Sequence, residues 1–413
     1  MKEGGGFEKL FRKKHFTSRL ISVIIDEAHC VKLWGSFRKQ YQELGRLRYL
    51  LPDSVHFAIV SATLPATILP DVLSRLGVSQ DKLHTIRLSN DRSNIALVIR
   101  KMKYSANSYM DLDFLVQNTV SDSLADTNST SGDSRLQRYH KKFVIFFDDK
   151  NEATAAGNYL RSRLPLDQRH RIIWFMSDMS REFKDDGVEG LADGKIWGIC
   201  STDSFGMVGV CALRNAYNLI VLQGIDLQDI ELVIQWKVTC DPCLLWQRFG
   251  RAARDKHLQA TALLFVETKD CDPTEEKKTR KRKAVGKEND KAQPRSKKAK
   301  KEKPLPMVLR TGENTEAQFW QARAAVYHER IGDKKPEKGE TNPVLDDVIN
   351  AEVRGIGCRR KPFYVYFDNE KLHGLSVLHF EHSLLTSHRK SHVRQRCRWN
   401  VFTLFSNPST ALL

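Results

Sequence analysis

A run of β-branched and aliphatic residues, Leu20-Ile21-Ser22-Val23-Ile24-Ile25, ends abruptly in Asp26-Glu27-Ala28-His29. No other stretch restricts the fold as tightly. Such a run bounded by charge reads as a fully buried parallel strand. The two carboxylates must then emerge at the strand's carboxyl end, the edge at which open α/β sheets bind nucleotides. From there Asp26 can hold Mg²⁺, as the acid after the second phosphate-site strand of an NTPase does, and Glu27 can orient or deprotonate an attacking water. An Asp-Glu pair that only caps the next helix is the competing reading of these four residues.

The same strand-then-polar pattern recurs. Val55-His56-Phe57-Ala58-Ile59-Val60 is a second buried strand, and it runs into Ser61-Ala62-Thr63, whose hydroxyls can make short hydrogen bonds at a strand end. Residues 65 to 77 read as a helix started by Pro65 and closed by Gly77. After the Ser- and Asp-rich stretch 121–134, which reads as a mobile surface loop, Phe143-Val144-Ile145-Phe146-Phe147-Asp148, a helix from Ala153 to Leu164 and Ile172-Ile173-Trp174-Phe175 form a β-α-β run, the mark of a second parallel sheet. Leu232-Val233-Ile234-Gln235-Trp236 is a further strand. A helix from Leu244 to Asp255 follows and carries Gln247-Arg248-Phe249-Gly250-Arg251-Ala252-Ala253-Arg254. Arg251 and Arg254, three apart, would share one face of that helix and reach a γ-phosphate. Gly250 is costly inside a helix unless something approaches closely.

Charge separates another region from these. The chain carries a formal +17, yet residues 277–303 hold 14 Lys and Arg against 3 acids, a net +11 that leaves only +6 for the rest. This block reads as a solvated tether; its two clusters, Lys277 to Lys283 and Lys297 to Lys301, look like a nuclear import signal for an import receptor and would bind phosphate backbone without sequence preference. No run of 18 apolar residues occurs, so no membrane partner is expected, and Met1 to Gly6 lacks the apolar segment of a signal peptide. Eight cysteines without a paired framework suit a reducing compartment. Cys240-Asp241-Pro242-Cys243 reads as a pair of structural cysteines, since no second Cys-x-x-Cys accompanies it.

Asp26-Glu27-Ala28-His29, followed by Trp34-Gly35-Ser36-Phe37-Arg38, resembles the RecQ family of superfamily 2 helicases, with one residue fewer than that family's Trp-Gly-x-x-Phe-Arg loop. The resemblance implies an ATP-dependent 3′-to-5′ DNA helicase of the nucleus that serves repair and recombination, with ATP and Mg²⁺ as cofactors. It puts Trp34, Phe37 and Arg38 on DNA, a role that stacking rings and a guanidinium suit physically. It places Asp26, Glu27, His29, Arg251 and Arg254 in the phosphate chemistry, with Arg254 as arginine finger. Ser61 and Thr63 match the third motif, 35 residues after Asp26. Gln247 belongs to the sixth motif, and Gly224-Ile225-Asp226 completes the fifth, so that Gln247, Asp226, Ser61 and Thr63 would couple nucleotide to DNA. The partners implied are single-stranded DNA and duplex junctions.

Three departures qualify the resemblance. No Gly-x-x-x-x-Gly-Lys-Ser/Thr loop occurs, and only 25 residues precede Asp26, which reads as a truncated or mispredicted product. Sixteen residues, Val208 to Gln223, separate Phe205-Gly206-Met207 from Gly224-Ile225-Asp226, and their removal would restore the motif seamlessly, as a retained intron would require. Cys358 matches a first zinc ligand, but the other ligands do not follow and zinc is not expected to bind. The architecture expected is therefore α/β: two RecA-like parallel-sheet lobes, residues 1–88 (incomplete) and 89–267, then a basic disordered linker, 268–342, and a small helical C-terminal remnant, 343–413. A non-catalytic nucleic-acid-binding protein derived from a helicase is the alternative, and the missing phosphate loop separates the two.

Overall fold

The computed structural model describes residues 6–33, 39–65, 67–79, 83–116, 142–203, 209–211, 222–224, 227–255, 257–273, 313–329, 341–369 and 402–406. The chain is α/β and divides into two compact units, one formed by Met1–Arg92, Glu316–Gly339 and Lys361–Leu413, the other by Ser93–Thr315 and Glu340–Arg360. No helix among the described residues is long and apolar enough to cross a membrane.

In the first unit, β1 (Ser22–Ile25) runs parallel to β2 (His56–Ser61), with Ser22 opposite His56 and Ile25 opposite Ile59. Sheet order places β1 at an edge, which corrects the expectation of a fully buried strand. Ile25 is buried, but Ile24 is 66% exposed and Ile21 81%. Ile24 and Ile25 face opposite ways, so the Ile25 side packs on the core and the Ile24 side does not, while Ile21 lies just before the strand. β2 is interior, with Phe57, Ala58 and Ile59 all buried. The following helix spans Leu69–Arg75, shorter than residues 65–77: Pro70 rather than Pro65 lies in its first turn, while Gly77 takes the left-handed φ of +63° that stops it.

β3 (Leu83–Ile86) does not touch β2 directly. Between them lies a C-terminal strand, Phe402–Ser406, antiparallel to both, with Leu404 opposite Ile59 on one side and Thr85 on the other. The expectation for residues 343–413 is a small helical remnant, and this strand departs from it. A gap one strand wide beside an interior strand leaves its backbone donors and acceptors without partners, and an extended segment satisfies them.

The second unit holds a six-stranded sheet, all parallel, built from β4 (Ile95–Lys101), β5 (Phe143–Phe146), β6 (Ile172–Phe175), β7 (Gly198–Ser201), β10 (Leu232–Trp236) and β11 (Ala260–Val266), in the order β4-β11-β10-β5-β7-β6. A two-stranded antiparallel ribbon, β8 (Gly209–Cys211) with β9 (Leu222–Gly224), sits in sequence between β7 and β10. Strands β5, β7 and β10 are buried along their whole lengths, as expected for a parallel sheet with helices on its faces. The helix Lys150–Ser162 begins at Asp149, whose carboxylate accepts from the Asn151 and Glu152 amides at 2.7 and 3.0 Å. The order of connections reverses beside β5: β6 and β7 lie on one side of it, β10 and β11 on the other.

Two further expectations change. The first helix of the C-terminal remnant spans only Pro343–Ile349; Asn350 closes it and Gly355, at φ +70°, continues the turn. Arg354 then binds Asp272, Asp346 and Asp347 at 2.8, 2.9 and 2.6 Å, which ties this segment to the chain after β11. Within the 268–342 stretch, a helix spans Glu313–Glu329. The basic block 277–303 and the 121–134 loop lie outside the described residues.

Gly198 of β7 is paired with Phe143 of β5, and a Cβ there would stand 2.0 Å from the Phe143 ring. Both residues are in the core, so neither ring nor strand has room to retreat. Gly198→Ala should destabilise the second unit by about 1–3 kcal/mol, read as a lowered urea midpoint, and Phe143→Leu should recover part of that loss.

Candidate functional site

In the first unit, chain geometry crowds five polar residues at the carboxyl end of β1 and β2. Asp26 is exposed just past β1, and its Oδ1 accepts the Glu27 amide at 2.7 Å. Glu27 adopts φ +49°, a left-handed conformation that costs a residue with a side chain and persists only where its surroundings hold it. What holds it is the next residue: the Ala28 amide donates to Val60 of β2 at 3.0 Å. His29 is thereby turned inward. It is 3% exposed, with Nδ1 at 2.9 Å from Ser61 Oγ and 3.3 Å from a Glu27 carboxylate oxygen, and Nε2 at 3.4 Å from Cys30 Sγ.

Burial lowers His29 to about 4, so the ring is neutral at pH 7. A neutral imidazole has one N–H. The carboxylate beside Nδ1 accepts only, so the proton belongs on Nδ1, leaving Nε2 to accept from the Cys30 thiol. Ser61 Oγ in turn accepts the Thr63 amide at 3.3 Å. Asp26, Glu27, His29, Ser61 and Thr63 are therefore brought together, with His29 linking the acidic segment to the Ser-Ala-Thr segment. Thr63 Oγ1 is buried and has no hydrogen-bond partner among the described residues.

Asp26 fits an Mg²⁺ ion that arrives with nucleotide, because that ion keeps most of its waters and takes one or two protein carboxylates plus phosphate oxygens. A self-sufficient metal cage is a different matter, and no group of three or more His, Cys, Asp or Glu among the described residues forms one. Cys358 is exposed and belongs to no such group, so nothing supports it as a zinc ligand. Cys240 and Cys243 are free thiols, and burial pushes Cys240 up.

In the second unit the arginine segment differs from its sequence reading. The helix spans Pro242–Phe249, capped by Asp241, which accepts from the Cys243 and Leu244 amides at 2.8 and 3.0 Å. It ends before Gly250 instead of reaching Asp255, so Arg251 and Arg254 occupy a loop and share no helix face. The reason lies in competing partners. Ala253 takes φ +36° and donates its amide to Ile230 at 2.8 Å, and the Asp255 amide donates to Gln228 at 3.1 Å, which draws the chain off the helix axis. Gly250 closes the helix, where a Cβ would meet the Trp246 carbonyl at 3.3 Å. Gln247, Arg251 and Arg254 are half-buried.

One residue of the segment had no assigned role. Arg248 is 3% exposed, yet it binds Asp148 beyond β5 at 2.5 Å, Asp203 beyond β7 at 2.6 Å and Gln235 of β10 at 2.6 Å, with Phe146 under its guanidinium. Burial opposes its charge, but the neighbouring Cys240, Asp148 and Asp203 hold it above the ordinary guanidinium value. The signal was present in the sequence: Arg248 lies three residues after Leu245 and between Trp246 and Phe249, on the apolar stripe of the helix. Trp34, Phe37, Arg38 and Asp226 lie outside the described residues.

Residues 4–70 match the DEAD/DEAH box helicase family and residues 129–256 match the helicase conserved C-terminal domain. The chain is similar to the ATP-dependent DNA helicase RecQ of Haemophilus influenzae, 26% identical over 254 residues, covering 61% of this chain and 33% of that protein. It is similar to the ATP-dependent DNA helicase Q-like 2 of Arabidopsis thaliana, 24% identical over 267 residues, 64% of this chain and 32% of that one. Among solved structures, S. cerevisiae Dbp5 bound to RNA and ADP BeF3 aligns with a TM-score of 0.43 at 16% identity, over 60% of this chain and 53% of that one. The chain thus spans about a third of the length of these curated relatives. Both helicase domain families are matched in order and RecQ helicases are relatives over about 60% of the chain's length, which supports a RecQ-family superfamily 2 helicase.

Proposed function

We propose that the chain carries the hydrolytic and coupling parts of an ATP-driven, 3′-to-5′ DNA helicase motor of the nucleus, acting in repair and recombination. The observation that carries this reading is the bridge from Glu27 through the buried His29 to Ser61. A carboxylate placed to orient water is thereby tied to the end of β2, so a change at one is felt at the other. Asp26 would hold Mg²⁺, which neutralises phosphate charge; Glu27 would orient the attacking water, and Arg251 and Arg254 would neutralise charge on the transferring phosphoryl group. Trp34, Phe37 and Arg38 would contact DNA. Gln247 and Asp226 would report nucleotide state to that surface.

The phosphate-cradling loop is not among these 413 residues, and this favours a second reading for the chain by itself, that of a non-catalytic nucleic-acid binder. Without that loop and its lysine, a triphosphate is not positioned for Glu27. The chain alone should therefore hydrolyse ATP negligibly with or without DNA, and steady-state turnover near ~1 per second would overturn this. In a protein that supplies the loop, Glu27→Gln should abolish hydrolysis while leaving DNA affinity near its parent value. Equal loss of both would remove Glu27 from the chemistry.

The basic block sets the binding expectation. Its 14 cations should give DNA affinity that falls steeply with salt, with a slope of about −0.7 to −0.9 per phosphate neutralised, and deleting residues 277–303 should flatten that slope. An import receptor would engage the same clusters.

The bridge itself is sensitive to pH, with a definite sign. His29 titrates near 4 when folded and at the ordinary 6.5 when unfolded, so the unfolded chain takes up the proton first as pH falls. Its contribution is intact above pH 6.5 and declines as pH drops towards about 4, by about 3 kcal/mol in total. Hydrogen exchange of the β2 amides across that window should show the decline in the parent chain and a flatter profile in His29→Gln.

A further inference from the structure

The loop after the arginine helix contains a non-glycine residue at positive φ and two half-buried arginines, so something must hold its shape. Part of the answer is backbone: the Ala253 and Asp255 amides donate to Ile230 and Gln228. The rest comes from a residue remote in sequence. Asn94 directly precedes β4 and is the second residue of the second unit. Its carbonyl accepts the Ala260 amide at 3.0 Å, where β11 begins. Its side-chain nitrogen stands 3.0 Å from the Ala253 carbonyl, 3.0 Å from the Leu258 carbonyl and 3.5 Å from the Asp255 carbonyl. One amide group therefore spans the loop from the strained residue to its return into the sheet.

We propose that Asn94 is a positioning residue for the arginine loop, holding Arg251 and Arg254 in the geometry in which they take up a phosphate chain. The proposal rests on the phosphate-binding reading of those arginines given above. The residue type fits the task. A primary amide places two N–H groups on one nitrogen and so serves the two near carbonyls at once; the third, at 3.5 Å, is a weaker contact. An aspartate of the same shape would set oxygens against oxygens. Arg254 is joined to Ala253, so a loosened Ala253 carbonyl frees the backbone from which the guanidinium projects.

The test uses the full chain with inorganic tripolyphosphate as the probe, and reads amide exchange over residues 250–258, which separates the loop from the basic block at 277–303. In the parent chain the probe should slow exchange there, and Arg254→Ala should remove that slowing. Asn94→Asp should speed probe-free exchange at Ala253 and Asp255 by roughly tenfold and also abolish the probe's effect. Added to Arg254→Ala, Asn94→Asp should cause no further loss of probe response, because the two act in one chain of cause. Exchange in β4 and β11 reports whether the sheet survives, and Asn94→Ala, which removes the donor without adding charge, repeats the measurement if the aspartate variant does not fold. Parent-like loop exchange in both variants would overturn the proposal, as would a loosened loop that still responds fully to the probe. A full probe response in Arg254→Ala would instead refute the phosphate reading of the arginines, leaving the exchange of the loop to judge Asn94 as its clamp.

Discussion

Parallel pairing is the constraint from which everything else in this protein follows. When strands run the same way, the segments that leave them emerge at one edge, however far apart they are in sequence. The registers show the consequence. Ile25 lies opposite Ile59, so Asp26 and Ser61 leave β1 and β2 close together. Phe146 lies opposite Ser201 and next to Gln235, so Asp148, Asp203 and Gln235 share an edge in the second unit. His29 and Arg248 each exploit such an edge, one with a neutral ring and one with a charge.

The two solutions differ in energetic character. His29 is buried without charge, so it pays little for desolvation and loses its place only when protonated. Arg248 is buried with its charge, which is tolerable only because two carboxylates and an amide oxygen receive its donors. It occupies the point where the strand order reverses beside β5, the crevice in which open sheets of this kind otherwise seat a ligand. Removing either acid would leave a buried guanidinium short of a partner, so the ends of β5, β7 and β10 are locked to the arginine helix as a set.

Much of this was legible in the chain. Strands β2, β5, β6 and β10 announce themselves as short apolar runs, because burial on both faces leaves no room for alternation. β1 deceives for the same reason: Ile24 is as aliphatic as a buried residue would be, and a run of residues carries no mark of whether its outer face is covered. The arginine helix was overextended because helical spacing fits Arg251 and Arg254, whereas the partners that pull the chain off the axis, Ile230 and Gln228, lie about 25 residues upstream and leave no local trace. The contacts of Asn94 leave no sequence mark for a related reason. Its three carbonyl contacts lie about 160 residues away, and a carbonyl has no residue type to recognise. His29, by contrast, was found through the resemblance, and only the structure reveals that it faces inward to Ser61.

The stretch Val208–Gln223 bears on how much interruption such an edge can absorb. Its ends pair antiparallel, Gly209 with Gly224 and Cys211 with Leu222. Directly opposed residues of an antiparallel pair have Cα atoms about 4.5–5.5 Å apart, little more than the ~3.8 Å between consecutive Cα atoms. Gly209 and Gly224, 15 residues apart in sequence, are therefore close in space. The ladder that sets Gly209 beside Gly224 closes the stretch on itself, and the Asp203 contact with Arg248 lies before it in sequence. That is what a tolerated insertion requires: its cost falls on closure of its own loop, which grows slowly with length, and not on the sheet edge beside it.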